Sequence, residues 1–265
     1  MSVTVATAAS AGVRIHYEEA GAGDPALVFV PGWCCDHRFF QPQFDHFQAR
    51  HRVVAVDPRG FGRSDRPDSG YDIPTQADDV ARVCRELGLE RPIIVGHSLG
   101  GMIAVELAAR HPSVPGAIVA VDPGPLAIQP ESRAVFEALV AALEGPDASA
   151  ALRGYVDRMF LATDEPERRR WITDTMASAP VDIAAAIIRG VIDWNGAGAL
   201  QLCAVPLLVL TRAPTTGGSN DPARLLGLKS NIKFGMTVGA GHFHQLEVPD
   251  QVNSMMERFF QTLPR

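Results

Sequence analysis

The sequence feature that most constrains the fold is a serine placed between two glycines at the end of an apolar run. The stretch IIVGHSLGG spans residues 93–101, and its core GHSLG has the spacing G-x-S-x-G. This spacing is typical of a sharp strand-to-helix turn that exposes the serine hydroxyl, with glycines where a side chain would collide with neighbouring backbone. Ser98 is therefore the candidate nucleophile.

The segments on either side of Ser98 supply the context that this motif requires. Pro92 to Val95 is an apolar strand, and Met102 to Arg110 has the pattern of a helix. The first turn of such a helix directs its N–H groups and the positive end of its dipole at the place where an oxyanion would form. A glycine-rich turn with a purely structural role is the alternative interpretation.

Predicted strands and helices alternate along the rest of the chain. Strands are expected at Val13 to Glu19, Leu27 to Val30, Val53 to Val56, Ala117 to Val121, Leu207 to Leu210 and Asn231 to Val238, and helices at Thr75 to Leu87 and Pro249 to Thr262. The first two strands are expected to form a pair. Such alternation favours an α/β fold with a mostly parallel central sheet and helices on both faces.

The rhythm changes between residues 125 and 199. Four segments there have helical patterns separated by proline-containing breaks, at Glu131 to Leu143, Ala148 to Leu161, Glu165 to Ala177 and Val181 to Trp194. Four helices without a strand are typical of an insertion. We therefore predict a core formed by residues 1–124 and 200–265, and a helical lid formed by residues 125–199.

Three further motifs accompany the serine motif in order: PGWCCD at 31–36, DPRGFGRSD at 57–65 and GAGHFHQLEVPDQV at 239–252. With these four motifs the chain resembles the α/β hydrolases from about Val13 to Phe260. The resemblance implies an α/β-hydrolase fold with oxyanion donors at the backbone N–H groups of Trp33 and Leu99. Pro31 stands where the family often has histidine, a departure that concerns the support of the loop rather than the donor itself.

A histidine near the C-terminus is the candidate general base. His242 lies in GAGH between the last predicted strand and the last predicted helix, and it matches the family histidine. A glycine-containing loop there can carry the imidazole over the sheet edge to within hydrogen-bond reach of Ser98. His244 is the alternative base, whereas His97 is expected to point elsewhere.

The carboxylate that orients this histidine has two candidates. In many α/β hydrolases it follows the strand that corresponds to Pro206 to Leu210, but this chain has Thr215 near that position and no acid before Asp221. Asp122 follows the preceding strand. Neighbouring parallel strands lie about 4.8 Å apart, so Asp122 can reach a histidine that also contacts the serine. Some members of the family, including fungal lactone hydrolases and cofactor-free dioxygenases, place their acid there.

Geometry favours Asp122, which gives the predicted catalytic set Ser98, His242 and Asp122. A turn-forming role before Pro123 is the structural alternative for Asp122. Asp221 is the alternative acid, although it is also placed to cap a helix. A dyad assisted by water is the third option.

Aromatic and apolar residues recur at helical spacing in the predicted lid. Most are expected to pack within the lid, because an inserted helical segment must bury its own apolar stripe. Four of them are candidate walls of the substrate pocket: Trp171, Trp194, Met159 and Phe136. Such walls favour a substrate with a hydrophobic body.

Charge and composition limit the partners. The net charge is -6 and no Lys/Arg run is longer than the three arginines at 168–170, so neither nucleic acid nor an anionic membrane surface is expected to bind. No run of about 18 apolar residues occurs and residues 1–30 lack a secretory pattern, which favours a cytoplasmic location. The one oligomeric state that we consider for this protein is a homodimer.

The four cysteines have no metal-ligand spacing and are expected to be reduced; they are Cys34, Cys35, Cys84 and Cys203. A nucleophilic role for Cys34 or Cys35 is a minor alternative. The sequence implies neither a metal nor an organic cofactor.

The leading functional hypothesis is hydrolysis of a carboxylic ester or lactone with a hydrophobic body through an acyl-enzyme. Two alternatives stay open. One is a cofactor-independent dioxygenase or C–C bond hydrolase acting on a ring compound, which the stretch GWCCDHR and the PTT loop at 214–216 resemble. The other is a non-catalytic small-molecule receptor on the same fold. A serine at position 98, rather than aspartate, argues against a dehalogenase or an epoxide hydrolase.

Overall fold

A computed structural model of the chain describes residues 4–10, 12–212 and 220–264. Its strands form a single eight-stranded sheet in the order β1-β2-β4-β3-β5-β6-β7-β8. The strands are β1 (Thr4–Ser10), β2 (Val13–Ala20), β3 (Leu27–Val30), β4 (Val53–Val56), β5 (Ile93–His97), β6 (Ala117–Val121), β7 (Leu207–Arg212) and β8 (Ile232–Thr237). Strands β3 to β8 are parallel, whereas β2 runs antiparallel to both β1 and β4.

Helices connect the strands and cover both faces of the sheet. A short 3-10 helix (His37–Phe40) comes before the first α-helix. The α-helices are α1 (Gln41–Phe47), α2 (Ile73–Glu86), α3 (Leu99–Arg110), α4 (Pro130–Leu143), α5 (Ala148–Asp157), α6 (Pro166–Ala177), α7 (Val181–Asp193), α8 (Gly196–Leu202), α9 (Pro222–Leu228), α10 (His244–Glu247) and α11 (Pro249–Phe260). The predicted α/β-hydrolase architecture, with a mostly parallel sheet flanked by helices, is confirmed.

The central strands are apolar along their whole length because both of their faces are covered. Successive residues of a strand point to opposite faces, so Val28 and Val30 of β3 enter one core, while Leu27 and Phe29 enter the other. Helices α2 and α3 contribute to the first core, and α1 and α11 contribute to the second. The carboxyl ends of the parallel strands therefore meet at one edge, where loops can place functional groups.

The predicted pairing of the first two strands is wrong. The strand at Leu27–Val30 lies between β4 and β5, whereas the partners of Val13–Ala20 are β1 and β4. Strand β1, which the sequence analysis missed, forms the hairpin with β2, with Ser10 opposite Val13. The turn residues between β2 and β3 thus lead into a parallel strand inside the sheet and do not close a hairpin.

The segment between β6 and β7 is helical, as the sequence pattern predicts. The four expected helices are α4 to α7, with α5 ending at Asp157, and a further helix, α8, packs against α3. Helix α4 packs against α7, and α5 packs against α6. The division into a core of residues 1–124 and 200–265 and a lid of residues 125–199 stays a prediction.

Among the described residues, no single helix has both the length and the apolar character needed to cross a membrane. Helices α6 and α7 meet those criteria only when they are taken together, as a pair bent by 91°.

Candidate active site

Ser98 lies in the sharp turn between β5 and α3. Its backbone has φ 52° and ψ -115°, a combination that costs free energy for a residue with a side chain and is found at nucleophile turns. A Cβ atom on Gly96 would overlap the carbonyl of Gly100, and one on Gly100 would overlap the carbonyl of Val30. Both glycines of the motif are therefore required by close backbone approach.

His242 and Asp122 form a hydrogen-bonded pair beside this turn. The Nδ1 atom of His242 lies 2.6 Å from Oδ2 of Asp122, and His242 and Ser98 line the same cavity. A carboxylate can only accept, so the proton of the neutral imidazole lies on Nδ1. The Nε2 atom then keeps the lone pair that a general base needs.

Arg212, the last residue of β7, binds the same carboxylate oxygen of Asp122 as His242 does. Its Nε donates to Oδ2 of Asp122 over 3.0 Å. Burial raises the pKa of Asp122, but the hydrogen bond from His242 and the charges of His242 and Arg212 outweigh it and set the pKa at about 2. The carboxylate therefore remains ionised near neutral pH, as the orienting acid of a histidine must.

The loop that carries His242 is fixed by a carboxylate from the helix that follows. Glu247 accepts hydrogen bonds from the backbone N–H groups of Gly241 (2.7 Å) and Phe243 (3.0 Å). The backbone N–H of His242 donates to the carbonyl of Met159, which lies in the helical segment between β6 and β7. The position of the imidazole thus depends on both the core and the helical segment.

His97 also binds the loop that carries His242. Its Nε2 donates to the carbonyl of His242 over 3.0 Å, and the two rings lie 4.7 Å apart between centroids. Burial, followed by the charge of His242, lowers the pKa of His97 well below its ordinary value, so His97 stays neutral. No sequence pattern predicts this role for His97, because the contact joins residues far apart in the chain.

The loop after β3 lies directly against the nucleophile. A Cβ atom on Gly32 would lie 3.1 Å from Nδ1 of His97 and 3.2 Å from Cβ of Ser98, so a side chain there would be tightly packed against both residues. The indole Nε1 of Trp33 donates to the carbonyl of Ala184 in α7 over 3.0 Å. Cys34, in the same loop, has a φ of 59°, which is a strained backbone conformation for a residue with a side chain.

The two predicted oxyanion donors lie on either side of the serine. Leu99 begins α3, where backbone N–H groups have no partner within the helix. In the part of the chain that the structure describes, the N–H groups of Trp33 and Leu99 have no hydrogen-bond acceptor. Both N–H groups are thus available to a ligand beside Ser98.

A cavity of about 280 Å³ opens at Ser98 and His242. Its walls are largely apolar and come from both the sheet edge and the helical segment, with Met102, Phe136, Met159, Met176, Ile188 and Val191 among them. Of the four residues predicted for the pocket, Phe136 and Met159 line this cavity. Tyr155, Arg158 and Arg212 line it as well, although no sequence pattern predicts them for the pocket.

The two tryptophans predicted for the pocket lie elsewhere. Trp171 packs against Phe39 at 4.8 Å between ring centroids, beneath the guanidinium of Arg38, and it lines a separate cavity of about 650 Å³. Trp194 is buried, and its Nε1 donates to Oε2 of Glu106 over 2.7 Å. A buried indole N–H needs such an acceptor, and Glu106 on α3 draws the ring away from Ser98.

The alternative acid and the alternative base are each hydrogen-bonded to another group. Asp221 is the N-cap of α9 and accepts a hydrogen bond from the backbone N–H of Arg224 over 3.1 Å. His244 is buried, with its Nδ1 2.7 Å from Oγ1 of Thr237. Thr215 and the PTT loop lie outside the described residues.

One group among the described residues has the side chains to hold a metal ion. It consists of His16, His37 and Asp57, whose ligand atoms lie within 4.8 Å of one another. His37 Nδ1 lies 2.7 Å from Oδ1 of Asp57, which also accepts from the backbone N–H of His37. The other carboxylate oxygen, Oδ2, accepts from the backbone N–H of Arg63. None of the three side chains lines the Ser98 cavity.

Comparison with known proteins identifies the class that this fold and site define. A family model described as alpha/beta hydrolase fold matches residues 25–187. The chain belongs to the α/β-hydrolase family.

Individual relatives match shorter stretches. The chain is 44% identical over 100 residues to AB hydrolase superfamily protein YisY of Bacillus subtilis, covering 37% of each chain. It is 36% identical over 128 residues to 2-(acetamidomethylene)succinate hydrolase of Mesorhizobium japonicum, covering 48% of this chain and 45% of that one. The chain thus spans less than half the length of these curated relatives.

A solved structure matches nearly the whole chain. It is Est816, described as an N-acyl homoserine lactone degrading enzyme, with a TM-score of 0.80 and 26% identity over 96% of this chain and 100% of that one.

Proposed function

We propose that this protein is a serine hydrolase that cleaves a carboxylic ester or lactone through an acyl-enzyme intermediate. The observation that carries the proposal is the hydrogen bond between His242 and Asp122 beside a strained Ser98 in one cavity. A nucleophile next to a base that is itself oriented by a third group is the arrangement that covalent acyl transfer needs.

The first half of the reaction forms the acyl-enzyme. Nε2 of His242 takes the hydroxyl proton as Oγ of Ser98 attacks the carbonyl carbon, which gives a tetrahedral intermediate with a negative oxygen. The N–H groups of Trp33 and Leu99 donate to that oxygen. The intermediate collapses, the bond to the leaving alcohol breaks, and His242 returns its proton to the alcohol oxygen.

The second half restores the serine. A water molecule gives a proton to Nε2 of His242 and attacks the acyl carbon, and the bond to Oγ of Ser98 breaks with return of that proton. Asp122 stabilises the imidazolium in both halves and holds it in one orientation. In enzymes of this mechanism, replacing the acid by its amide lowers kcat by about 10⁴-fold.

The cavity walls favour a substrate with an apolar portion. Phe136 and Met159 come from the helical segment between β6 and β7, which in this proposal is a cap over Ser98. The carbonyl of Met159 also accepts from the N–H of His242, so the cap contributes to the position of the base. Est816, a similar structure described as a lactone-degrading enzyme, supports a lactone or ester as the substrate.

The test is hydrolysis of a panel of p-nitrophenyl esters and lactones by the wild type, Ser98→Ala and Asp122→Asn. We expect turnover by the wild type and its loss in both variants. Asp221→Asn is the matched control, because Asp221 is the N-cap of α9 and asparagine fills that role as well.

Oxygen consumption measured on heteroaromatic ring compounds separates the alternative reaction. Oxygen uptake with release of carbon monoxide and no ester turnover would replace the hydrolase proposal by a dioxygenase. Tight ligand binding with neither reaction would replace it by a receptor.

A further inference from the structure

The cavity at Ser98 has an unusual charge for this chain. Two arginines, Arg158 and Arg212, line it. Among the residues that the structure describes, no aspartate or glutamate lines this cavity. The whole protein has a net charge of -6. A positive cavity in an acidic protein attracts anions locally, because charges that line a cleft focus their field there.

The positive charge of Arg212 is paired with the carboxylate of Asp122. Its Nε binds Asp122, which also accepts from His242, so this guanidinium serves mainly to hold the carboxylate. Arg158 therefore carries the uncompensated positive charge of the cavity.

Among the described residues, Arg158 has no such counter-ion. It follows α5 directly, and in the described parts of the chain its guanidinium has neither a carboxylate within ion-pair distance nor a side-chain hydrogen bond. Its contact is with an aromatic ring, since its guanidinium carbon lies 5.3 Å from the centroid of Tyr155. An arginine that rests on an aromatic face keeps its N–H groups free for another partner.

The ring of Tyr155 connects this guanidinium to the reaction centre. Tyr155 meets Trp33 edge to face, with the centroids 5.7 Å apart and an angle of 88°. Trp33 in turn follows Gly32, which lies against Ser98. Arg158 is thus held at the exposed mouth of the cavity by a packed aromatic pair that reaches the oxyanion loop.

We propose that the substrate carries a carboxylate group, which Arg158 binds at the cavity mouth while the ester or lactone carbonyl lies at Ser98. The apolar walls, including Met159 and Met176, accommodate the hydrocarbon between the two groups. Arginine suits this task because its planar fork matches a carboxylate with two parallel hydrogen bonds. The inference rests on the proposed hydrolase function and narrows its substrate to anionic esters or lactones.

The test compares esters that differ in one charge. p-Nitrophenyl hemiglutarate is paired with p-nitrophenyl hexanoate, and 4-carboxyphenyl hexanoate is paired with phenyl hexanoate, so that the carboxylate is placed on either side of the ester. Rates are measured for the wild type, Arg158→Gln, Arg158→Lys and Arg170→Gln, with Ser98→Ala as the background. Arg170 is an exposed residue of α6 that does not line the cavity, so its variant makes the same charge change elsewhere.

We expect the wild type to prefer one anionic ester over its neutral partner by about tenfold in kcat/KM, the size of one charge-assisted hydrogen bond. Arg158→Gln should lose that preference while still cleaving the neutral ester, Arg158→Lys should retain part of it, and Arg170→Gln should keep it. Added salt should reduce the preference, because the arginine is exposed at the mouth. Equal rates on both members of each pair, or a preference that survives in Arg158→Gln, would overturn the carboxylate inference and leave the hydrolase proposal intact.

A binding measurement separates failure of the inference from failure of the proposed function. Ser98→Ala, with and without Arg158→Gln, is titrated calorimetrically with N-phenylglutaramate and with neutral hexananilide, both of which are stable amides. If no ester is cleaved, the hydrolase proposal fails. Tighter binding of the anionic amide that depends on Arg158 would still support the carboxylate site, whereas equal or absent binding of both amides would overturn it.

Discussion

Asp122 lies opposite Ser98 in the register of two neighbouring parallel strands. His97 of β5 pairs with Val121 of β6, so the residues that follow, Ser98 and Asp122, leave the sheet side by side. The backbone N–H of Ser98 donates to the carbonyl of Val121 over 3.0 Å and joins the two turns. One imidazole, that of His242, can therefore serve both residues from the loop after β8.

This relationship predicts the effect of removing the acid. Asp122→Asn should lower kcat on an ester substrate by about 10⁴-fold, because an amide cannot hold the imidazole in the required tautomer or stabilise its charge. Steady-state kinetics with circular dichroism as a check of folding measures this. Asp221→Asn should keep its kcat and the cap of α9, because asparagine caps a helix about as well as aspartate does.

The opposite pattern, with activity lost in Asp221→Asn and retained in Asp122→Asn, would show that Asp221 and not Asp122 orients the histidine.

The low pKa of Asp122 predicts a pH dependence of stability. The pKa is about 2 in the folded protein against an ordinary 3.8, so folding favours the ionised form. The resulting stabilisation is fully present above pH 3.8 and is lost as the pH falls through 2. It amounts to about 2 kcal/mol, since each pKa unit corresponds to about 1.4 kcal/mol.

Urea unfolding of the wild type and of Asp122→Asn measures this contribution. The difference between the two free energies of unfolding should shrink as the pH is lowered from 5 to about 2. A difference that stays constant over this range would mean that the carboxylate is not held in its ionised form.

Much of the fold and of the site follows from sequence patterns that act locally. The G-x-S-x-G turn and its flanking strand and helix place Ser98, and the position of Asp122 at a strand end is enough to bring it near. The roles of Arg212 and His97 could not be predicted, because they depend on contacts between segments that are distant in the sequence. Arg212 reaches Asp122 only because β7 pairs with β6, and His97 reaches the His242 loop across 145 positions.

The errors have a related cause. An aromatic residue of the helical segment can face the cavity or the core, and helical spacing alone does not distinguish the two. Phe136 faces the cavity, while Trp194 turns to the core because Glu106 accepts its indole N–H. The pattern predicts the wrong first pair because β1 consists mostly of small residues and has a weak strand pattern, and because β3 is parallel to its neighbours.

The close packing of the serine turn predicts that its second glycine is indispensable. In Gly100→Ala the new Cβ would overlap the backbone carbonyls of Val30 and Pro31, which cannot move without shifting β3. We expect a loss of about 3 kcal/mol or more in the free energy of unfolding. Thermal and urea unfolding provide the measurement.

Gly154→Ala is the matched control, because Gly154 lies within helix α5 and has no atom near the position of a new Cβ. This variant should gain about 0.5 to 1 kcal/mol from its higher helix propensity. Equal effects of the two substitutions would contradict the packing argument.

The cysteines are expected to be unreactive in the folded protein. Burial raises the pKa of the Cys34 and Cys35 thiols well above the ordinary value, and it raises the pKa of Cys84 to about 12. Only a thiolate attacks a disulfide reagent, so Ellman's reagent at pH 8 should leave the native protein unmodified and active. In denaturant it should titrate all four thiols.

Rapid modification of a thiol in the native protein together with loss of activity would instead point to Cys35, which borders the Ser98 cavity.

The most direct test of the central claim is covalent trapping of the nucleophile. A fluorophosphonate reacts with an activated serine because the phosphorus imitates the tetrahedral intermediate and the adduct stays attached. Peptide mass spectrometry of the treated wild type should place one adduct on Ser98, with none on Ser98→Ala and much slower labelling in Asp122→Asn. An unlabelled wild-type protein, or an adduct on another residue, would contradict a mechanism in which Ser98 carries the acyl group.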